Sequence, residues 1–206
     1  AESLEQFHAT SAATALATRL AAKIKTATPA LSMLSVRGMM VHSAKWTPEM
    51  IRIGNIKDII PLCGYGVPDE ETALFSNEKY ATFIFENELI PYWEKDGSNT
   101  YNQLHFYDLP WPTEVLEQMG EENVKIRITL SYYVKPSPGY AGRSNKYRYP
   151  SATLHFDLKS ASESMEEFLC RRNKSEGEKR TDNDTNRWTI KQQRREQGTV
   201  QSDWIE

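Results

Sequence analysis

The chain has 206 residues and a mass of 23.7 kDa, enough for one large domain or two small ones with a core that needs no covalent support. Apolar residues make up 39% and charged residues 26%, which lies within the range of globular proteins. The mean hydropathy of -0.64 leans polar but does not reach the composition of a disordered chain. The net charge of -3 removes an electrostatic reason for a nucleic-acid or anionic-membrane partner. No uncharged apolar run approaches the roughly 18 residues of a membrane-spanning helix, so we expect no membrane span.

The cysteines and the first residue bear on where the protein works. Cys63 and Cys170 are too few for a disulfide framework and form no CxxC site for a metal or redox reaction. This usage favours a reducing compartment, and we expect a cytoplasmic protein. The chain begins with Ala1 rather than methionine, so we also expect a longer protein whose missing N-terminal part leaves secretion open.

The first third of the chain has helical periodicity. Apolar residues recur at spacings of three and four over 12–25, which predicts a helix packed on one face. Ser32 is placed to cap a second helix, and Thr47-Pro48-Glu49 has the cap-then-proline form of a third helix start. Residues 64–68 predict a turn, and Asp69 is placed to cap a short helix that reaches about Phe75.

After Ser76 the hydrophobic period changes from near 3.6 to 2. Apolar residues alternate with polar ones from Val124 to Val134, which predicts a half-buried strand with Arg127 and Thr129 facing outward. This spacing predicts an antiparallel β-sandwich over 76–206, and the dense charges between Arg171 and Arg187 predict an exposed, mobile loop. The other strand candidates are Tyr80–Phe85, Gln103–Tyr107, Leu154–Leu158, Trp188–Lys191 and Thr199–Trp204.

Ser11 is the sharpest chemical signal. It lies at the predicted start of an alanine-rich helix, where unpaired backbone amides and the positive end of the helix dipole would stabilise an oxyanion. That environment suits a nucleophile. The alternative is that Ser11 only caps the helix, as serine often does.

Three motifs in order resemble a known family. Residues 9–14 read Ala-Thr-Ser-Ala-Ala-Thr, similar to the Gly-Thr-Ser-x-Ala-Thr/Ser-Pro nucleophile motif of subtilisin-like serine peptidases. Residues 34–44 resemble the helix that follows in those enzymes, and 64–69, Gly-Tyr-Gly-Val-Pro-Asp with Ala73 beyond, resemble the turn near the end of their catalytic domain. The resemblance implies that 1–75 are the C-terminal end of an α/β catalytic domain, helical here, and that 76–206 are an appended β-rich domain.

The resemblance also implies a mechanism for the longer protein. Ser11 would be the nucleophile and its backbone N–H part of the oxyanion hole, with a peptide or protein as substrate and neither cofactor nor metal. Subtilases order their triad Asp, His, Ser, so the partners and the side-chain oxyanion donor would lie in the missing N-terminal part. The motif positions that carry the structural resemblance are Thr10, Ala13, Gly64 and Gly66.

This sequence departs from the motif at two positions. Ala9 replaces the glycine before Thr-Ser, and a methyl there would cost about 1 kcal/mol if the position needs positive φ. Ala15 replaces a proline that helps a helix start but is dispensable. These departures leave a second hypothesis, a non-catalytic protein-binding or assembly module of a degenerate subtilase.

The remaining candidates have structural interpretations. His8, His42, His105 and His155 carry no role in the resemblance, and Gly64-x-Gly66 lacks the third glycine of a dinucleotide site. Asp108 and Glu114 have no carboxylate partner at a hydrolase spacing. An aromatic cluster predicts either sandwich core or a peptide or sugar groove; it consists of Tyr92, Trp93, Tyr101, Phe106, Tyr107 and Trp111.

Overall fold

A computed structural model describes residues 9–74, 80–90, 92–95, 98–101, 103–121, 123–134, 153–172 and 187–205. These residues form mostly helices with two short antiparallel sheets. The helices are α1 Thr10–Ala27, α2 Met33–His42, α3 Pro48–Ile51, α4 Ile56–Cys63, α5 Glu70–Leu74, α6 Thr113–Met119, α7 Met165–Arg172 and α8 Gln192–Arg195. The strands are β1 Tyr92–Lys95, β2 Ser98–Tyr101, β3 Ile126–Ser131 and β4 Val200–Ile205.

The N-terminal helices pack around a small apolar core. Leu20 and Ile24 of α1, Val36 of α2 and Ala73 of α5 are buried together. Leu20 and Ile24 are four residues apart, so they lie on one face of α1. The predicted helix over 12–25 is confirmed, but its apolar stripe packs only in the second half, since Ala13 and Leu16 are exposed. Burial of this stripe holds α1, α2 and α5 against one another.

Three predicted helix starts are confirmed by their capping bonds. Ser32 Oγ accepts a hydrogen bond from the Ser35 amide at 3.1 Å. Thr47 Oγ1 accepts from the Met50 amide at 3.4 Å, with Pro48 in the first turn. Asp69 Oδ1 accepts from the Thr72 amide at 2.7 Å. Each bond satisfies an amide that the helix itself leaves unpaired, so the caps fix where α2, α3 and α5 begin.

The predicted turn at 64–68 ties two distant segments together. Lys45 and Val67 exchange backbone hydrogen bonds of 2.9 Å in both directions. Gly66 has φ +98°, and a Cβ there would lie 2.2 Å from the Lys45 carbonyl oxygen. Only glycine therefore permits this approach.

The β3–β4 ribbon packs on α2. Its strands pair antiparallel from Ile126 opposite Ile205 to Ser131 opposite Val200. A Cβ built on Gly38 of α2 would lie 3.3 Å from the Ser131 Cβ, so helix and strand are in close contact. This contact crosses the domain boundary expected at residue 75, and the segments on its two sides pack together.

The predicted β-sandwich is wrong. Among the described residues the strands form only two sheets, β1–β2 and β3–β4, each of two strands. The strand within Val124–Val134 and the one within Thr199–Trp204 exist, but no ladder forms at the other predicted strands. In two of them a backbone amide donates to a side-chain oxygen: Leu158 to Asp157 and Ile190 to Asp203. The Thr189 amide donates to the Trp204 carbonyl of β4 at 3.0 Å, but this single bond forms no ladder.

The predicted outward face of β3 is also wrong. Arg127 Nη1 donates to the Ala44 carbonyl at 2.6 Å, and Thr129 Oγ1 lies 3.0 Å from His42 Nδ1. Both side chains are partly buried, because the polar face of the strand meets the C-terminal end of α2 and Ala44 rather than solvent. Alternation identifies two faces but cannot show that both are covered.

Helices α4, α6, α7 and α8 were not predicted. Pro61 lies inside α4, and an internal proline is a strong signal against a helix. The remaining three are short and rich in polar residues, so their apolar stripes are weak.

The predicted mobile loop between Arg171 and Arg187 falls mainly on residues 173–186, which lie outside the described residues. Its described ends are bound rather than free: Arg171 Nη1 contacts Asp157 Oδ2 at 2.6 Å, and Arg187 Nη2 contacts Asp157 Oδ1 at 3.5 Å. None of the helices in the described residues combines the length and apolarity needed to cross a bilayer.

Replacing Gly66 with alanine tests the link between Lys45 and Val67. We expect Gly66→Ala to lower the free energy of unfolding by at least about 2 kcal/mol, because the methyl adds a backbone clash to an unfavourable φ. Urea unfolding measures the loss. Gly198→Ala is the control, since Gly198 has φ +86° but no atom within 4 Å of an added Cβ. Equal losses in both variants would show that the close approach contributes nothing.

Candidate functional site at the start of helix α1

The first turn of α1 presents unpaired backbone donors. Ala9 occupies the N-cap position with φ -152° and ψ 145°, and the first helical hydrogen bond runs from the Ala13 amide to the Ala9 carbonyl at 3.3 Å. The amides of Thr10, Ser11 and Ala12 have no partner among the described residues. These donors and the aligned peptide dipoles of an 18-residue helix create a positive potential at its start.

Ser11 is the second residue of α1 rather than its cap. Ala9 occupies the cap position and has no side-chain acceptor, so Ser11 is not the N-cap of α1. Ser11 is exposed, and its hydroxyl makes no hydrogen bond to any residue that the structure describes.

Ala9 carries no backbone strain. Its φ of -152° is extended backbone, which an L-residue with a Cβ adopts without cost. The concern that alanine distorts the serine therefore does not apply to this conformation. Thr10 is the first helical residue, and its carbonyl accepts a hydrogen bond from Thr14 Oγ1 at 2.8 Å.

Ser11 lies away from the core of the helical cluster. It precedes Leu20 by nine residues, about two and a half turns, so the two side chains lie on opposite faces of α1. Leu20 is buried, whereas Ser11, Ala13 and Thr14 are exposed. The α1 face that carries the serine is consequently open among the described residues.

No histidine is placed against Ser11 in the part of the chain that the structure describes. His42 contacts Thr129, the ring of His105 lies 6.5 Å from that of Tyr107, and His155 Nδ1 lies 3.2 Å from Glu196 Oε2. His8 lies outside the described residues. Neighbouring Ser43 donates to the Met40 carbonyl at 3.2 Å, so His42 and Ser43 form no catalytic pair.

The described structure instead contains a buried polar layer between α2 and the ribbon that the sequence did not reveal. Thr129 Oγ1 lies 2.8 Å from Ser202 Oγ, which accepts a hydrogen bond from Arg127 Nε at 3.0 Å. The Ser202 amide donates to Tyr65 Oη at 3.1 Å. The turn at 64–68, α2 and β4 therefore share one hydrogen-bonded network.

Burial perturbs the ionisable groups of this layer. Burial, reinforced by the nearby Arg127 charge, lowers the pKa of His42 from 6.5 to about 4. Burial also lowers the pKa of the Arg127 guanidinium to about 10 and raises that of the Tyr65 phenol. His42 is thus neutral and Arg127 charged at neutral pH, which fits a structural network better than a proton-transfer site.

A second buried group lies on the other face of β4. Asp203 is fully buried, and its Oδ1 accepts hydrogen bonds from the amides of Ile190 and Trp204 at 2.8 and 2.9 Å. Burial raises the pKa of Asp203, although Arg195 Nη1 lies 3.6 Å from Oδ2. The carboxylate joins the adjacent Trp204 to Ile190, thirteen residues earlier, and no motif marks it.

Gly64 and Gly66 lie in the turn rather than beside Ser11. Gly64 accepts a hydrogen bond at its carbonyl from Trp46 Nε1 at 2.9 Å, and Gly66 permits the Lys45–Val67 bridge. Their role is to fix the end of the helical cluster. The described residues contain no group of three acidic, histidine or cysteine side chains suited to a metal ion.

Comparison with known proteins supports the resemblance seen in the motifs. Residues 1–83 match the model of the Subtilase family. The match includes Ser11, Thr10, Ala13, Gly64 and Gly66, and it supports a relationship to subtilisin-like serine peptidases. It covers 83 of the 206 residues and stops within the segment that precedes β1. No curated protein and no solved structure matches the chain.

The buried state of His42 predicts how stability depends on pH. The unfolded chain binds a proton at His42 below about pH 6.5, whereas the folded chain does so only near pH 4. We therefore expect the free energy of unfolding to fall as the pH drops through that window, by at most about 1.4 kcal/mol per pH unit.

Urea unfolding of wild type and His42→Gln across the same pH range measures this contribution. Glutamine keeps a hydrogen-bonding side chain opposite Thr129 but does not titrate, so its stability should fall less between about pH 6.5 and pH 4. Identical pH profiles would contradict a neutral, buried His42.

Proposed function

We propose that this chain supplies the nucleophile of a subtilisin-type serine endopeptidase, and that the histidine and aspartate of the triad come from polypeptide outside these 206 residues. The observation that carries the proposal is the position of Ser11, an exposed serine among unpaired amides at the start of an 18-residue helix inside the family match. A peptide or protein is the substrate.

The proposed reaction follows from these groups. Ser11 Oγ attacks the carbonyl carbon of a peptide bond while the histidine takes its proton, and the carbonyl oxygen becomes an oxyanion. The Ser11 amide donates to that oxyanion, and the helix dipole favours its charge. Collapse of this intermediate breaks the C–N bond, and the leaving amine takes the proton from the histidine. Water then hydrolyses the acyl-serine ester by the same steps.

The open face of α1 supports a partner in this position. The described residues that follow Ser11 in the first turns of α1 have small side chains, and Ala13, Thr14 and Ala15 are exposed. Small side chains let a second polypeptide surface approach the helix backbone closely. A base and its orienting carboxylate can thus reach the hydroxyl without rearrangement of the apolar core around Leu20 and Ile24.

The second hypothesis is a non-catalytic binding module of a degenerate subtilase. Ala9 in place of glycine is the feature that favours it. The extended φ of Ala9 weakens that argument, because alanine imposes no strain at the serine. A reactive Ser11 separates the two hypotheses, since a binding module has no need of one.

Covalent labelling tests the nucleophile in the whole protein as the cell produces it. A serine-directed phosphonate should modify Ser11, and Ser11→Ala should abolish both the adduct and peptidase activity. Thr18→Ala, an exposed hydroxyl removal two turns along the same helix, should leave both unchanged. Labelling that persists at full strength in Ser11→Ala would exclude Ser11 as the nucleophile.

The 206-residue chain alone should hydrolyse no peptide. A serine without its base and orienting group loses most of the catalytic advantage, and helix-start amides do not replace a proton acceptor. The measurement is the rate at which a fluorogenic peptide is cleaved in the presence of this chain or of its Ser11→Ala variant. The two rates should be equal. Turnover that depends on Ser11 would mean that a histidine within these residues, such as His8, serves as the base.

A further inference from the structure

A second surface, separate from the start of α1, combines exposed apolar side chains with negative charge. We define the acidic arm as residues 80–121, which contain the β1–β2 hairpin and α6. The arm has eight acidic residues and one lysine, whereas the rest of the chain has 24 basic and 20 acidic residues. The net charge of -3 therefore hides an acidic arm on an otherwise basic chain.

The arm is also the most aromatic part of the chain. It holds nine of the 22 Phe, Trp and Tyr residues. Twelve of its large apolar side chains are each at least 36% exposed: Tyr80, Phe83, Ile84, Phe85, Ile90, Trp93, Leu104, Phe106, Tyr107, Leu109, Trp111 and Val115. A soluble protein seldom leaves so many neighbouring apolar groups in water unless they meet a partner.

The two legs of the arm lie side by side. Tyr92 pairs with Tyr101 at the base of the hairpin, and the Ile90 amide donates to Gln103 Oε1 at 2.7 Å. Farther along, the rings of Phe85 and Tyr107 lie 4.6 Å apart. Two of the exposed apolar side chains, Phe85 from one leg and Tyr107 from the other, therefore lie against each other.

The arm is attached to the helical cluster through one of its acidic groups. Glu86 Oε1 accepts hydrogen bonds from the Ser32 amide at 2.8 Å and from Ser35 Oγ at the start of α2. These bonds lower the pKa of Glu86 to about 2. The side-chain carboxylates of Glu88 and Asp108, in contrast, make no hydrogen bond or ion pair to any described residue, so a partner can approach their charges.

We propose that the acidic arm binds a polypeptide segment in which lysine or arginine alternates with large apolar residues. Apolar side chains of that segment would pack on Phe85, Tyr107 and Trp111, and its cations would meet Glu88 and Asp108. An open depression of about 340 Å³ beside Trp111 is lined by residues 111–115, Glu114 among them, and would place an apolar side chain near a carboxylate. Net negative charge disfavours nucleic acid and anionic lipid, which leaves a cationic polypeptide as the complementary ligand.

Binding of three designed peptides to this chain tests the proposal. The peptides alternate lysine with leucine, glutamate with leucine, and lysine with serine. We expect saturable binding of the Lys/Leu peptide, followed by fluorescence anisotropy, and at least about tenfold weaker binding of the other two, because each lacks one complementary property. Absence of Lys/Leu binding, or equal binding of the Glu/Leu peptide, overturns the proposal.

Matched variants localise the binding. Glu88→Gln with Asp108→Asn should weaken Lys/Leu binding about fivefold, and Glu49→Gln with Asp58→Asn, which removes two exposed carboxylates elsewhere, should not. Trp111→Ser should weaken it about tenfold, and Leu62→Ser, at a side chain 73% exposed on α4, should not.

A test for self-association completes the experiment. Sedimentation of the chain alone should show no oligomer that Trp111→Ser dissociates. Such an oligomer would mean that a second copy covers the arm and would overturn the assignment of a cationic polypeptide. None of these readouts depends on Ser11, so their failure is distinguishable from failure of the proposed peptidase activity.

Discussion

The contact between α2 and the β3–β4 ribbon is the interaction on which the rest of the described structure depends. Arg37 of α2 spans it: its guanidinium donates to Ser131 Oγ at 3.0 Å and to the carbonyls of Tyr132 and Thr199 at 2.7 and 3.2 Å. Gly38 lets the strand approach the helix, because any larger residue would press on Ser131. Arg37 thus provides hydrogen-bond donors for backbone carbonyls at the end of the ribbon. The other contact of α2, with α1, is made by the apolar core.

That contact is polar, which sets it apart from the packing of α1 on α2. Hydrogen bonds join Arg127, Thr129, His42 and Ser202, which are partly or fully buried, although Arg127 Nη2 has no partner among the described residues. The cost of burying these groups is offset only when the geometry is correct. A slip of β3 by one residue would place Ile128 where Thr129 now meets His42. The polar layer therefore specifies the register of the ribbon more strongly than its apolar side chains do.

The rigid attachment of α2 has a consequence for chemistry at Ser11. Helix α1 is held at its C-terminal half by Leu20 and Ile24, so its first turn projects from a fixed core with its amides exposed. A helix start positioned in this way can stabilise negative charge but cannot remove a proton. Under the proposed function, the first turn of α1 would supply the nucleophile and the electrostatic stabilisation, and the partner polypeptide would supply the acid–base groups.

The first turn of α1 and the acidic arm differ in charge. The first turn of α1 contains no acidic residue, which keeps its positive potential intact. The carboxylates of the acidic arm lie far along the chain from that turn. One of them, Glu86, accepts a hydrogen bond from the Ser32 amide at the start of α2, where a negative charge stabilises the helix. A single net charge for the whole protein describes neither surface.

The sequence by itself determined the local features of this protein. The caps at Ser32, Thr47 and Asp69 and the helix α1 depend on residues within a few positions of one another, so pattern alone could find them. The subtilase-like motif around Ser11 is local in the same way. Tertiary structure decided the rest. Arg127 and Thr129 alternate as a solvent-facing set would, yet their side chains contact Ala44 and His42. The strands expected at 154–158 and 188–191 form no ladder, and the amides of Leu158 and Ile190 donate to the side chains of Asp157 and Asp203. Period 2 reports which side chains share a face, but only the arrangement of distant segments determines whether a strand finds a neighbour or a side chain satisfies its backbone.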